Sequence, residues 1–182
     1  MNETKHAMID LETLSTQQDA VVLTIGACKF NPFSFDEPTE RLHFKLDTST
    51  QVEKGRHICD DTLAWWGDQD EEIKKEAFSD NDRVDVESAC DAMTEWFKDC
   101  TKIWCQGPSF DFPIIYSLFK DFDREVPWPF WLQRDSRTVT GLVAENFKNK
   151  FDFGAHNALE DAVVQSKCVQ YVYKKLRITN TF

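Results

Sequence analysis

The stretch "AMIDLET" (residues 7–13) sets two carboxylates, Asp10 and Glu12, two positions apart in an otherwise apolar run. Successive side chains of a strand point to opposite faces, so Asp10 and Glu12 share one face while Ile9 and Leu11 share the other. Like charges this close raise each other's energy, and burial adds to the cost. Asp-x-Glu alone has no specificity, because a chain with 32 acidic residues carries such pairs by chance. Its position inside an apolar segment is what asks for an explanation.

Working outward, residues 5–12 read as a first strand and "DAVVLTIGACKF" (19–30) as a second, with "NPFSFDEP" (31–38) as the turn after it. "ERLHFKLD" (40–47) alternates Leu42, Phe44 and Leu46 with Arg41, His43 and Lys45, the pattern of a half-buried strand. Three strands at hairpin-like distances predict an antiparallel meander. From 52 to 80 the pattern turns polar and helical. Val86, Ala89, Cys90, Met93, Trp96 and Phe97 then recur at helical spacing. "KIWCQ" (102–106) reads as a short buried strand, and "GPS" breaks the chain before "FDFPIIYSLFKDF", where Pro113 fits only a first helical turn. "WPFWLQRD" contains a further strand, a helix begins near Ser136, and a last long helix covers roughly 157–176. Strands first, then helices alternating with strands, give an α/β chain with a central mixed sheet of five or six strands flanked by helices. No repeat or linker divides it, so 1–182 is expected to be one domain.

Two more carboxylates break their local pattern. Asp111 opens the apolar row Asp111, Ile115, Leu118, Phe122. Asp161 opens the row Asp161, Gln165, Cys168, Val172, beside the stripe of Leu159, Val163, Val169 and Tyr173. The bland account of either is a helix cap or dipole partner. Four inward carboxylates from three segments would be costly unpaired and would repel one another when gathered. A pair of Mg²⁺ or Mn²⁺ ions removes both objections, since hard cations prefer carboxylate oxygen. His156, in "FGAHNALEDAVV", lies five residues before Asp161, too far round an ideal helix to face the same way. It is therefore expected on the entering loop, leaning toward the site as a general base, because imidazole exchanges protons near neutral pH.

Composition narrows the classes. Hydrophobic residues make up 41% and charged residues 29%, which is globular rather than disordered. A net charge of −11 argues against a nucleic-acid surface, unless bound cations invert the local charge. The six cysteines show no C-x-x-C pair, so zinc ribbons and thioredoxin-like redox sites find no support. Neither a signal-peptide core nor a membrane-length apolar run is present, and a reduced cytosolic protein with no membrane partner is expected.

"IDLET", "SFDFPII" and "HNALEDA" together resemble the three motifs of the DEDDh, or DnaQ-like, 3′–5′ exonucleases of the ribonuclease H-like superfamily. "TLAWWGDQDEEIKKEA", "WCQGPSFDFPI" and "QRDSRTV" resemble the phage exonuclease A proteins and the mycobacterial-type exoribonuclease domains. One departure is Gly107, where many relatives carry Asn four positions before the second-motif Asp. The resemblance implies a ribonuclease H-like fold and two divalent metal ions on Asp10, Glu12, Asp111 and Asp161. It implies His156 as the base and release of nucleoside 5′-monophosphates from single-stranded DNA or RNA 3′ ends or overhangs. DNA is slightly favoured, and host cytoplasm is the expected location if the chain is of phage origin. Thr13 and Leu14 are implied as backbone contacts to the terminal nucleotide, and a homodimer is left open. Trp65 or Trp66 could stack on a base or simply pack their helix. Arg134 and Arg137 could reach phosphate or a buried carboxylate, and Lys148 and Lys150 read as solvated surface. A non-catalytic binding module is the contrasting class; it predicts losses among the five site residues, and none is lost. A structural acidic protein with solvated carboxylates leaves the inward rows unexplained.

Overall fold

In the computed structural model, residues 5–152 and 156–179 are described. The alternation around Asp10 folds as a strand, β1 (His6–Thr13), antiparallel to β2 (Val22–Phe30), which pairs antiparallel with β3 (Thr39–Leu46). The second strand starts later than the pattern of 19–30 suggests. Ala20 instead makes an isolated bridge to His57. The polar stretch after β3 divides into α1 (Ser49–Glu53), α2 (Asp60–Gly67) and α3 (Glu71–Phe78). Gly55, at φ +82°, sits just past α1, where a left-handed residue favours glycine and ends the helix. Then follow β4 (Arg83–Val84), α4 (Val86–Phe97), β5 (Lys102–Cys105), α5 (Asp111–Asp121), β6 (Gln133–Asp135), α6 (Ser136–Thr140) and α7 (Ala158–Lys175).

The six strands form one sheet in the order β4-β3-β2-β1-β5-β6. The meander pairs antiparallel, whereas β5 runs parallel to β1, β6 to β5 and β4 to β3. Sequence patterning found every strand but β4, whose two residues are too few to carry a period. On one face Ala7, Ile9 and Leu11 of β1 join Ala89, Met93 and Phe97 of α4 and Phe112 and Ile115 of α5 in the main core. On the other face Met8, Cys28 and Trp104 pack against Ala162, Val163 and Val169 of α7. Asp10 and Glu12 share the Met8 face, so the two carboxylates look toward α7.

Their separation from α7 is set by a glycine. Gly26 pairs with Asp10 across the β1–β2 ladder, and a Cβ built on it would lie 2.1 Å from the backbone of Ala158, the first residue of α7. Only a hydrogen at position 26 lets α7 begin this close to the sheet and bring Asp161 over Asp10. Gly26→Ala is expected to push α7 outward, at a cost of about 3 kcal/mol or more, beyond ordinary overpacking. For a chain of this size that lowers Tm by roughly 6–12 °C. Thermal denaturation followed by circular dichroism checks it; an unchanged Tm would show that α7 does not depend on this contact.

Candidate active site

The carboxyl ends of β1 and β5 diverge. Their pairing stops at Met8–Trp104, and beyond it Gln106 and Gly107 turn the chain into α5. Ligand crevices in parallel α/β pairs form where neighbouring strands part in this way. Asp111, the first residue of α5, is buried at 4% exposure beneath that turn, and its N–H donates to the Gly107 carbonyl at 3.2 Å. Asp161 sits in the first turn of α7, which Asn157 caps by accepting from the N–H groups of Leu159 and Glu160. Glu160, next to Asp161 in the chain, is exposed and faces away from the buried carboxylates.

One cavity of about 390 Å³ is lined by Asp10, Glu12, Asp111, His156 and Asp161 together. Glu12, His156 and Asp161 each offer a ligand atom within 4.8 Å of the others'. His156 lies before α7 on the entering loop, in the left-handed region at φ +38°. Its ring meets the edge of Trp65 at 5.0 Å and 89°. Strained backbone of this kind costs about 1–3 kcal/mol and persists where surrounding structure enforces it.

The charges have little internal compensation. Burial, reinforced by Asp111, Glu12 and Asp161, holds the Asp10 carboxyl well above its usual range; a hydrogen bond from Gln165 Nε2 to Asp10 Oδ1 at 2.7 Å opposes the rise. Burial, and then Asp161 and Asp111, push Glu12 up to about 8. Burial also raises Asp111, against the Cys105 thiol and the Arg137 guanidinium, and it raises Asp161 against His156. Several oxygens that resist ionising side by side, with one imidazole at their edge, are a donor set suited to hard divalent cations. The residues present fit such ions.

A pH dependence follows. A carboxyl raised in the folded state binds protons more tightly there than in the unfolded chain, so stability falls as pH rises between the two values. For Glu12 that window runs from about 4.5 to about 8. In EDTA, Tm is expected to drop by roughly 5–10 °C from pH 5 to pH 8.5, a loss of a few kcal/mol. Glu12→Gln should flatten the slope. A Tm that rises over that interval would contradict the burial of these charges.

The remaining candidates separate. Trp66 is 2% exposed and its indole N–H donates to the Thr13 carbonyl at 2.9 Å, so it packs the core and cannot stack on a base. Trp65 is 42% exposed and lines a second cavity of about 480 Å³ with Thr13, Thr16, Cys59, Thr62 and Phe110, adjoining Glu12. Leu14 corrects the sequence expectation. Its side chain is buried against Val21, Leu23 and Trp66, and its N–H donates to Val21 O at 2.9 Å, leaving no free donor for a nucleotide. Arg134 donates to the carbonyls of Trp131 and Gln133 and does not line the carboxylate cavity, whereas Arg137 does. Lys150 pairs with Glu145 at 3.4 Å, and Lys148, exposed as its polar stretch suggests, also lines the carboxylate cavity. Gln165 is the residue that sequence reasoning left without a role; its signal was its place one turn after Asp161 in the inward row. Gly107, at the departure from the Asn pattern, lies with its Cα beside Asp111, and a Cβ there would stand 3.9 Å from Asp111 Oδ2.

Residues 5–173 match the family described as the 3′–5′ exoribonuclease Rv2179c-like domain. An exodeoxyribonuclease of enterobacteria phage T4 is 32% identical over 157 residues, covering 72% of this chain and 68% of the phage protein. Among solved structures, the nuclease domain of 3′hExo, a DEDDh family member bound to rAMP, is similar with a TM-score of 0.65 at 11% identity. That match covers 96% of this chain and 94% of the other. The Mg²⁺- and Mn²⁺-bound form of S. pombe Pop2p gives a TM-score of 0.61 at 10% identity, over 97% and 85% of the two chains. At such identities the two structures speak for the fold, while the family match and the phage relative speak for the chemistry. The chain belongs to the Rv2179c-like 3′–5′ exoribonuclease domain family, and it shares its fold with the nuclease domain of a DEDDh family member.

Proposed function

We propose that this chain acts as one catalytic domain that shortens single-stranded nucleic acid from its 3′ end in a divalent-metal-dependent reaction, releasing nucleoside 5′-monophosphates. The observation that carries this reading is the gathering of Asp10, Glu12, Asp111, His156 and Asp161 on one cavity. The four carboxylates would hold two Mg²⁺ or Mn²⁺ ions. When bound, such ions supply electrostatic stabilisation to the charge that grows on a phosphate under attack. The chain's own groups do the rest. His156 accepts the proton of the attacking water, and Trp65 holds its ring from the side. Gln165 fixes the Asp10 carboxylate by donating to it. The Trp65 cavity receives the terminal nucleoside, with the exposed indole as the stacking surface and Thr13 at its floor. Asp61, which also lines it, repels a strand that would continue past the 3′ end.

DNA is the favoured substrate, on the support of the phage exodeoxyribonuclease likeness. RNA is the second reading, because the matching family is described as exoribonuclease. The two are separated by mixing DNA and RNA oligonucleotides of one sequence, each carrying a different 5′ dye, with Mn²⁺. Faster shortening of the DNA supports the first reading. Preferential shortening of the RNA overturns it in favour of the second.

A further inference from the structure

The carboxylate cavity has an opening on each side. Toward Trp65 it meets the nucleoside cavity along Leu11, Glu12 and Phe110. On its other side it meets a third opening of about 400 Å³, and Gln106, Arg137 and Lys148 line both. Thr140, Glu145, Asn146, Phe147 and Cys168 line the far part of that third opening, where the Glu145 carboxylate is already paired with Lys150 and Lys175. Three openings therefore run in a row, with the acidic cluster in the middle.

Charge along the row is lopsided. The Trp65 end is lined by the Asp61 carboxylate and, where it joins the acidic cluster, by Glu12, with no cation among the described residues. The opposite junction carries two cations. Among the described residues, neither Arg137 nor Lys148 has a carboxylate within ion-pairing distance. Both are exposed at their side chains yet anchored at their backbones. The Arg137 N–H donates to Asp135 Oδ1 at 2.9 Å at the start of α6. The Lys148 N–H donates to Asn146 Oδ1 at 3.1 Å within a single 3₁₀ turn, Phe147–Asn149. That turn is pinned to α7: Phe147 meets Tyr171 edge-on at 5.8 Å, and Glu145 accepts from the Tyr171 hydroxyl at 3.1 Å and pairs with Lys175. Two free cations on fixed supports, beside a cavity of carboxylates, suit a polyanion that passes between them.

We propose that Arg137 and Lys148 clasp the phosphate one nucleotide to the 5′ side of the bond that is cut, with the penultimate nucleoside in the opening beside Phe147. The proposal rests on the exonuclease reading above and assigns a direction to the strand across the site. A 3′-terminal nucleoside ends in a hydroxyl and brings no phosphate beyond the one under attack. Every further phosphate lies on the 5′ side, so cations are useful there and carboxylates are harmless on the other. The charge asymmetry of the row matches that polarity.

Dinucleotides provide the test. NpN holds only the phosphate under attack, whereas pNpN also holds the one assigned to the clasp. As competitive inhibitors of oligonucleotide shortening by the wild-type protein, pNpN is expected to have an inhibition constant about tenfold lower than NpN, from charge-assisted hydrogen bonds. In Arg137→Gln/Lys148→Gln the two constants should come within about twofold. Binding of a 5′-labelled oligonucleotide in EDTA, followed by anisotropy across salt concentrations, should lose roughly 0.7 from its log–log slope in the double variant. Equal inhibition by the two dinucleotides in the wild type overturns the clasp, as does an unchanged ratio and slope in the double variant. A wild-type protein that shortens no 3′ end overturns the exonuclease reading itself, and that outcome is visible in the uninhibited control.

Discussion

Asp10→Asn is expected to lower mononucleotide release by about 10³-fold or more, while the metal-free protein becomes more stable rather than less. The substitution keeps side-chain volume and an oxygen for Gln165 Nε2, which donates to Asp10 Oδ1 at 2.7 Å. It removes one negative charge from a group that also holds Asp111, Glu12 and Asp161. Without cations that charge is repelled by three neighbours, so its loss should stabilise the fold at pH 8 by about 1–2 kcal/mol. With cations the same carboxylate supports charge stabilisation of several kcal/mol at the phosphate, and each 1.36 kcal/mol is tenfold in rate. The opposite signs matter. A residue whose removal costs activity and improves stability is there for chemistry rather than folding. Circular dichroism in EDTA and nucleotide release in Mn²⁺ measure the two halves; near-normal release by Asp10→Asn would sink the assignment of this carboxylate.

His156→Ala should slow turnover by about 10²–10⁴-fold, the range for losing a positioned general base, with Mn²⁺ affinity retained. The geometry allows a competing role. A ring nitrogen of His156 lies within 4.8 Å of ligand atoms on Glu12 and Asp161, close enough for the ring to be a metal ligand itself. The two roles separate by measurement. Titration calorimetry with Mn²⁺ on the variant should give binding like that of the wild type if His156 handles the proton; a collapse in affinity would make it a ligand instead. Rescue of the rate by added imidazole would support the base.

The arrangement of the meander and of α4, α5 and α7 was legible because each buries one face, and a buried face leaves a period in the sequence. The four carboxylates were legible for the same reason, as charges standing where the period called for apolar side chains. His156 was correctly placed on a loop, since five residues of helix cannot turn it toward Asp161. What stayed hidden depends on distances between segments. Trp65 and Trp66 are adjacent in an eight-residue helix with too weak a face to tell them apart, and only the packed structure buries Trp66 under Thr13 while opening Trp65 to the cavity. Lys148 stands in a stretch without regular period, and its approach to the site comes from the pinning of its turn to α7. Gly26 carries a signal of its own: a glycine inside an apolar strand marks a close approach of another backbone, here Ala158 at the start of α7.

The central claim is that the acidic cavity is a cation-dependent 3′-end nuclease site. Its most direct test follows one 5′-labelled single strand in EDTA, then adds excess Mn²⁺ to the same sample and resolves the products by length. The account predicts an intact strand before addition and, after it, a ladder shortening one nucleotide at a time from the 3′ end. Shortening that proceeds equally in EDTA, or immediate loss of the 5′ label as a mononucleotide, would contradict it.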